Sequence, residues 1–254
     1  MAGLRDPFQG VANIVRFNWH FYVLAALVLV LVWVANAALD NSFVVLSSLI
    51  TAAICLPILI SLIVSWYVYD HSGLYSLPWL RGVEVLPAPF ILNIHAGLDE
   101  FSETLQVRYR TARLEVLDFY DPGRHTEVSI RRARKAYPPH PGTKAVSTSA
   151  LPVADASADL IILALAAHEI RDDAERAAFF RELARVLKPD GRVVVTEHLR
   201  DLPNFLAYNI GAFHFLPRSS WYRVFGQGRL RLIREQSLTP FITTFTLGKH
   251  GAAS

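Results

Sequence analysis

Charged residues and cysteines are scarce in this 254-residue chain, and the scarcity is local. Only 19% of the residues are charged, against about 25% in an ordinary soluble domain. Between residues 17 and 69 the single charged residue is Asp40, and all Lys and Arg residues except Arg5 and Arg16 follow this region. The lone cysteine, Cys55, can form no intrachain disulfide. These shortages exclude a disordered chain, a disulfide-stapled secreted domain and a protein that is soluble throughout.

Two apolar runs fill the charge-poor region, at residues 19–39 and 42–69. A helix of about 20 residues crosses a hydrocarbon core of roughly 30 Å, so each run is long enough to span a bilayer. A cleavable signal peptide is one alternative, but a second apolar run follows the first at once. A helical hairpin buried in a soluble protein is the other, but no domain of this size could cover it. We therefore predict a two-helix transmembrane hairpin within residues 1–69, with the lipid bilayer as a partner.

The basic residues predict the orientation of this hairpin. Arg5 and Arg16 precede the first apolar run, the remaining Lys and Arg residues follow the second, and the turn at Asp40 and Asn41 has none. Basic flanks stay in the cytoplasm. We therefore predict a two-pass membrane protein with both termini and the C-terminal domain in the cytoplasm.

Residues 70–89 are rich in Gly and Pro, which predicts an interfacial linker, and a domain follows at residues 90–254. Within that domain short apolar runs alternate with helical patterns, and this alternation predicts a parallel sheet covered on both faces. The last two strand patterns predict an antiparallel hairpin at the end of the sheet. The predicted strands are 91–95, 114–119, 144–147, 159–166, 192–197, 230–236 and 241–247, and the predicted helices are 100–113, 126–137 and 173–187.

Two stretches of the domain have a familiar pattern: ALPVADASADLIILALAAHEI at 150–170 and RELARVLKPDGRVVVTEH at 181–198. They resemble the second half of class I S-adenosylmethionine-dependent methyltransferases of the type 11 kind. In that family an L-P dipeptide precedes an acidic turn and an apolar strand, and a helix ends in R-V-L-K-P-x-G before the next strand. The resemblance extends over roughly residues 88–248. It implies an α/β, Rossmann-like fold, methyl transfer as the activity and S-adenosylmethionine as the cofactor.

The first half of the domain departs from the family pattern, in which a D-x-G-x-G-x-G loop follows the first strand. The corresponding residues 93–99 read NIHAGLD and retain only Gly97 of the glycines. Glycine matters there because the backbone must approach the cofactor closely and adopt positive φ. Asp99 can cap the next helix, but its carboxylate can also repel that of the cofactor.

The resemblance places the cofactor site at the carboxyl ends of the strands. In the family an acid at the tip of the second strand accepts hydrogen bonds from the ribose hydroxyls; Asp118 matches that position best and Asp121 second, with a solvated turn acid as the alternative. Ser147 stands where the family has an acid that contacts adenine. The full set of cofactor-binding residues implied in this way is Asn93, His95, Ala96, Gly97, Asp118, Ser147, Thr148 and Leu165.

Candidates for chemistry follow the next two strands. His168 and Glu169 follow the fourth predicted strand, and Glu197 and His198 follow the fifth; such positions face the ligand crevice in doubly wound sheets. Because imidazole titrates near neutrality, a base for the methyl acceptor is predicted here, with capping or surface roles as the alternative. Residues 201–221 are unusually apolar and predict a substrate lid against the bilayer, or else ordinary core packing. The predicted catalytic residues are His168, Glu197, His198, Tyr208 and His214.

Several functions find no support in the sequence. No metal-ligand spacing, nucleophile elbow or phosphate loop is present, so no metal is expected. The basic run at 131–135 is either a solvated helix face or a contact for anionic lipid headgroups. Aromatic residues are not interleaved with it, so no nucleic-acid partner is expected.

Two functional hypotheses follow. The first is a membrane-anchored methyltransferase that acts on a lipid or lipid-linked substrate at the cytoplasmic membrane face, since an anchor is unnecessary for a freely soluble substrate. The second is a catalytically degenerate methyltransferase fold that serves as a membrane scaffold or partner-binding module, because the glycine loop is altered.

Overall fold

The computed structural model describes residues 6–251; Arg5, on which part of the predicted orientation depends, lies outside them. The helices are α1 Gln9–Ala38, α2 Val44–Trp66, α3 Ser102–Arg108, α4 Val128–Ala136, α5 Asp173–Val186, α6 Leu202–Tyr208 and α7 Arg218–Gln227. The strands are β1 Phe90–His95, β2 Arg113–Asp118, β3 Lys144–Ala145, β4 Ala158–Ala164, β5 Leu187–Glu197, β6 Leu230–Thr239 and β7 Ile242–Lys249. Short helical turns occupy Tyr67–His71, Leu74–Ser76, Pro78–Leu80, Ala167–Glu169 and Asn209–His214.

Two helical stretches, Gln9–Ala38 and Val44–Ser76, are long and apolar enough to span a membrane. Most of their apolar side chains are exposed; Leu31, for example, is 68% exposed and Val45 is 70% exposed. The core helices of a soluble protein would bury such side chains, so the alternative of a buried hairpin does not describe this structure. Asn36 closes the connecting turn, because its side chain accepts a hydrogen bond from the Phe43 amide at 3.1 Å.

The cytoplasm-proximal ends of the two helices are joined by a carboxylate. Asp70, in the helical turn after α2, accepts hydrogen bonds from the backbone amides of Gly10 at 2.7 Å and Val11 at 2.9 Å. These amides belong to the first turn of α1, where backbone donors have no partner within the helix. The negative charge also matches the positive end of the helix dipole, so Asp70 holds the start of α1 against the end of α2.

The C-terminal part folds around one seven-stranded sheet, within residues 6–251, of order β3-β2-β1-β4-β5-β7-β6. Strands β1 to β5 are parallel, and β7 lies antiparallel between β5 and β6. The predicted Rossmann-like sheet with a terminal antiparallel hairpin is confirmed. Two element bounds differ. Helix α3 is shorter than predicted, because the chain turns at residues 109–112 before β2, and β5 begins at Leu187 rather than at residue 192, because Leu187 already pairs with Ala158.

Each face of the sheet has its own covering layer. One face packs against α5 and α7, with Phe180 and Trp221 fully buried. The other face packs against α3 and against the membrane-proximal residues 67–80, so the segment predicted as a linker forms part of the core. The Trp79 indole N–H donates to the Leu74 carbonyl at 2.9 Å, and its ring meets that of Phe101 edge to face. The hairpin therefore continues directly into the hydrophobic core of the domain.

Candidate active site

The predicted site residues lie along the carboxyl ends of the parallel strands. Strands β1 and β4 are neighbours in the sheet although β2 and β3 separate them in the chain, and the crevice at such a reversal is where doubly wound folds bind ligands. We name two regions there. The cofactor half comprises Gly97, Asp99, Asp118 and Arg134. The acceptor half comprises His168, Glu169, Glu197 and His214.

Gly97 forms the closest approach of backbone in the cofactor half. It has a φ of +98°, and a Cβ built there would lie 2.5 Å from a guanidinium nitrogen of Arg134. The Gly97 amide donates to His95 Nδ1 at 3.0 Å, which fixes the loop just after β1. Burial lowers the pKa of His95 despite the nearby carboxylates of Asp99 and Asp118. A side chain at position 97 would thus fill the space above the loop.

Asp99 performs the capping role considered for it. Its Oδ1 accepts hydrogen bonds from the amides of Phe101 and Ser102, both at 3.0 Å, at the start of α3. The same oxygen accepts from Asn93 Nδ2 at 3.1 Å, and that amide group also donates to the Ser102 hydroxyl at 2.8 Å. Asn93 thus holds the loop to the helix start, and its predicted contact with the cofactor remains a prediction.

Asp118 ends β2 with its side chain buried. Its Oδ1 accepts from the Tyr120 amide at 2.9 Å, and its Oδ2 pairs with the Arg134 guanidinium. Arg134 also stacks over the Tyr120 ring, 4.4 Å from its centroid. The second candidate, Asp121, instead accepts from the Gly123 amide on the surface. Of the two acids, Asp118 is the one that points into the cofactor half.

Arg134 fills the space between Gly97 and Asp118, where the resemblance places the cofactor. Two buried atoms nearby, His95 Nε2 and Asp99 Oδ2, have no hydrogen-bond partner among residues 6–251. A ligand with hydroxyl and amino groups would satisfy such atoms. The residues therefore fit S-adenosylmethionine on the condition that Arg134 moves. Its side chain is 36% exposed, so it has room to turn into solvent.

The remaining predicted cofactor residues are distributed around this crevice. Ala96 is buried beside Gly97. Ser147 is exposed and hydrogen-bonded to Ser149 at 2.9 Å, whereas Thr148 is buried and donates to Glu175 at 2.6 Å. Leu165, just after β4, has a φ of +53°. A non-glycine residue held in this region is strained, and such strain concentrates at functional sites.

The acceptor half brings together residues from β4, β5 and the turn before α7. His168 Nδ1 lies 2.7 Å from Glu197 Oε2, and His168 Nε2 lies 3.2 Å from Glu169 Oε1. His214 Nε2 lies 3.4 Å from the same Glu169 oxygen. Three of the predicted catalytic residues thus meet in one cluster, and Glu169 is its central member. Sequence reasoning noted Glu169 after the fourth strand but did not place it in the catalytic set.

Burial makes the electrostatics of this cluster strong. Burial by itself lowers the pKa of His168, but the charge of Glu197 and hydrogen bonds to Glu169 and Glu197 outweigh it and raise the pKa to about 10. Burial raises the pKa of Glu169, but hydrogen bonds from His168 and His214 hold it well below its usual range. His168 consequently carries a proton at neutral pH, whereas the sequence analysis had treated it as a neutral base.

His198 and Tyr208 belong to an adjacent cluster at the junction with the hairpin. The Asn204 side-chain amide donates elsewhere, so its oxygen accepts from His198 Nδ1 at 3.0 Å. The Tyr69 hydroxyl then donates to His198 Nε2 at 2.8 Å. Burial lowers the pKa of His198 to about 4 despite the Asn204 bond, and burial raises that of Tyr208. This neutral His198 links the end of β5 to the residues that follow α2.

A cavity of about 540 Å³ connects the two halves. It is lined by Arg124, His125, Glu169, Arg171, Asp172 and Glu175. The basic run on α4 divides around it: Arg134 faces Asp118, whereas Arg132 donates to the Phe17 carbonyl of α1 at 2.5 Å. No local pattern distinguished Arg134 from its basic neighbours, which is why sequence reasoning missed it.

Comparison with known proteins agrees with this geometry. Residues 124–195 match the sequence model of a family described as a methyltransferase domain. A methyltransferase dependent on S-adenosylmethionine from Aquifex aeolicus has a similar fold, with a TM-score of 0.52, 14% identity and coverage of 75% of this chain and 97% of that one. Geranyl diphosphate C-methyltransferase from Streptomyces coelicolor A3(2) gives a TM-score of 0.52 and 14% identity over 74% of this chain and 82% of that one. No curated protein sequence matches the chain.

The predicted resemblance to class I methyltransferases is confirmed by the family match and by the sheet order together. The part of the chain after the hairpin is a methyltransferase domain of the Rossmann-like class. These findings support an enzyme of the S-adenosylmethionine-dependent methyltransferase type, with S-adenosylmethionine as its cofactor.

Proposed function

We propose that this protein is a membrane-anchored methyltransferase that transfers a methyl group from S-adenosylmethionine to a lipid or lipid-linked acceptor at the cytoplasmic membrane face. The observation that carries the proposal is the position of the acceptor half. It lies directly behind an exposed apolar segment that continues from a candidate membrane span. A polar cluster reached through an apolar surface suits a substrate with a polar headgroup and an apolar tail.

The apolar segment is formed by residues 202–213, which we call the lid. Four of its side chains are more than 60% exposed: Leu202, Leu206, Ile210 and Phe213. Contiguous exposed apolar surface of this kind marks an interaction site. Helix α6 of the lid packs against α2, and His214 of the acceptor half directly follows the lid. An acceptor in the bilayer could therefore enter between α2 and the lid and reach His214 without crossing water.

The residues divide the work of positioning. S-adenosylmethionine, when bound, supplies the methyl group on its sulfonium. Asp118 would accept the ribose hydroxyls, the unpaired Asp99 oxygen would accept the amino group, and Gly97 would leave room for the backbone to approach. His214 and Glu169 border the open side of the cluster and would hold the polar group of the acceptor. Because methyl transfer depends largely on alignment of its two reactants, placing both sets on the ends of one sheet is the main catalytic contribution.

The orientation of the protein remains part of the proposal. Arg16 near the start of the hairpin and the basic composition of the following domain support cytoplasmic termini. Reporter fusions at the C-terminus test it: activity of a cytoplasmic reporter is expected. Activity of a reporter that works only outside the cytoplasm would overturn the orientation and the cofactor supply that depends on it.

The activity is tested with membranes from cells with and without the gene, incubated with S-adenosylmethionine labelled in its methyl group. We expect label in the lipid extract and a lipid species heavier by one methylene, in membranes with the parent but not with the Gly97→Val variant. Label confined to soluble molecules would overturn the lipid acceptor. Calorimetry of the purified protein with S-adenosylhomocysteine tests the enzyme itself, and absence of binding would favour the scaffold hypothesis.

A further inference from the structure

The donor atoms of His168, Glu169 and His214 converge on one point of the acceptor half. One ligand atom from each lies within 4.8 Å of the others. Glu169 Oε1 is 3.2 Å from His168 Nε2 and 3.4 Å from His214 Nε2. Atoms bound about 2.1 Å from a tetrahedral ion lie roughly 3.4 Å from one another. A single ion would therefore fit among these atoms after small side-chain movements.

The other nitrogen of each imidazole faces a second carboxylate. His168 Nδ1 lies 2.7 Å from Glu197, whose side chain is fully buried, and His214 Nδ1 lies 3.4 Å from Glu127. Histidines that bind metals almost always donate their second ring N–H to a carboxylate, carbonyl or water, which fixes the tautomer. The same arrangement occurs at both histidines here. It leaves each Nε2 free to direct a lone pair towards Glu169.

We propose that His168, Glu169 and His214 bind one divalent transition-metal cation of the zinc type. Two histidines and one carboxylate form the donor set of zinc sites that keep an open position, whereas Mg²⁺ and Ca²⁺ prefer oxygen donors alone. The open position faces the cavity that Glu169 lines. The site does not depend on methyl transfer, but its role rests on the proposed function: the cation would bind an oxygen of the acceptor headgroup.

Arg171 provides an independent check on the position of the cation. Its guanidinium donates to the His214 carbonyl and lies 3.0 Å from His214 Nε2, with Glu127 at 4.0 Å. Three carboxylates, those of Glu127, Glu169 and Glu197, surround this one arginine and the two histidines. A bound cation would displace the guanidinium, whose side chain is 39% exposed. Loss of the Arg171 charge should therefore strengthen metal binding, whereas loss of a ligand should weaken it.

The experiment uses the full chain without an affinity tag, purified in detergent and stripped with a chelator. Zn²⁺ is titrated by calorimetry and Co²⁺ by visible absorption. We expect one equivalent of either ion to bind the parent. Glu169→Gln and His214→Ala should each raise the Kd for Zn²⁺ more than about 10-fold, and Arg171→Gln should lower it. Glu103→Gln and His250→Ala, which change exposed side chains outside the cluster, are the matched controls and should leave the Kd unchanged.

Failure to bind one equivalent, or equal affinity in the ligand variants and the controls, would overturn the site. Weaker binding by Arg171→Gln would overturn the proposed position of the cation. Glu197→Gln, which keeps a hydrogen-bond acceptor for His168, should weaken binding about 10–100-fold at unchanged stoichiometry. Thermal melting in chelator shows whether each variant is folded. Calorimetry with S-adenosylhomocysteine separates the two proposals: binding of that ligand without Zn²⁺ overturns only the metal site, and the reverse overturns only the proposed function.

Discussion

The cofactor half and the acceptor half occupy the same edge of the sheet but hold their charges differently. In the cofactor half, the buried carboxylate of Asp118 pairs with a partly exposed arginine, and buried atoms of His95 and Asp99 lack partners among the described residues. In the acceptor half, His168 lies buried between Glu169 and Glu197. One half can exchange its partner for a ligand, whereas the other is already assembled.

This difference follows from solvent access. An ion pair with one exposed member is worth little, because water replaces the lost contact. A buried pair costs several kcal/mol to break, because the remaining charge has no water to solvate it. Substitutions in the cofactor half should therefore change ligand binding and leave stability nearly intact, whereas those in the acceptor half should reduce stability. Four substitutions test that contrast.

The largest effect is expected at Gly97. Gly97→Val places a branched side chain in the space above the loop and should abolish measurable binding of S-adenosylhomocysteine, a weakening of at least about 100-fold. Gly142→Val is the control, because Gly142 also has a positive φ, of +82°, but nothing lies near its Cβ position. Both variants share the backbone strain, so only Gly97→Val should lose binding in calorimetry. Parent-like binding by Gly97→Val would mean that the ligand does not lie over this loop.

The second effect is on stability. Glu197→Ala leaves His168 buried without its carboxylate partner and should lower the free energy of unfolding by about 3–5 kcal/mol. Glu115→Ala removes a carboxylate that pairs with the exposed Lys144 and Arg113, and should cost at most about 1 kcal/mol. Denaturant unfolding in one detergent measures both. Equal losses would remove the contrast between the two halves.

The third effect is at Asp118. If its carboxylate holds the ribose, Asp118→Ala should weaken binding of S-adenosylhomocysteine by about 1.5–3 kcal/mol, roughly 10–150-fold. The melting temperature should change little, since Arg134 can turn into solvent. Asp121→Ala should leave the affinity unchanged. If the two variants exchange these results, Asp121 is the ribose acid.

The smallest effect is expected at Arg134. Cofactor binding must break its pair with Asp118, so Arg134→Ala should tighten binding of S-adenosylhomocysteine by about 1.5–5-fold. Arg131→Ala, an exposed arginine on the same helix, should have no effect. Weaker binding by Arg134→Ala would instead indicate that the guanidinium turns towards the bound ligand and contacts it.

The attachment of the hairpin to the domain was not predicted. Tyr69 reaches His198 at the end of β5, and Tyr137, just after α4, donates to Asn13 of α1 at 2.8 Å. Residues 70–89 were interpreted as a linker because they are rich in Gly and Pro, yet Trp79 and its apolar neighbours are buried against the sheet. Composition describes the flexibility of an isolated segment, but burial depends on the surface that the segment meets.

The sequence by itself determined the elements and the class of the domain. Apolar runs, strand and helix periodicity, and the pattern from Arg185 to Gly191 are local signals, and each is set by neighbouring residues along the chain. Only the tertiary structure decided which side chains meet. His214 joins His168 and Glu169, and Arg134 joins Gly97 and Asp118, across long intervals of sequence. The expectation of no metal rested on spacing along the chain, and spacing cannot record a cluster whose members come from separate strand ends and a distant turn.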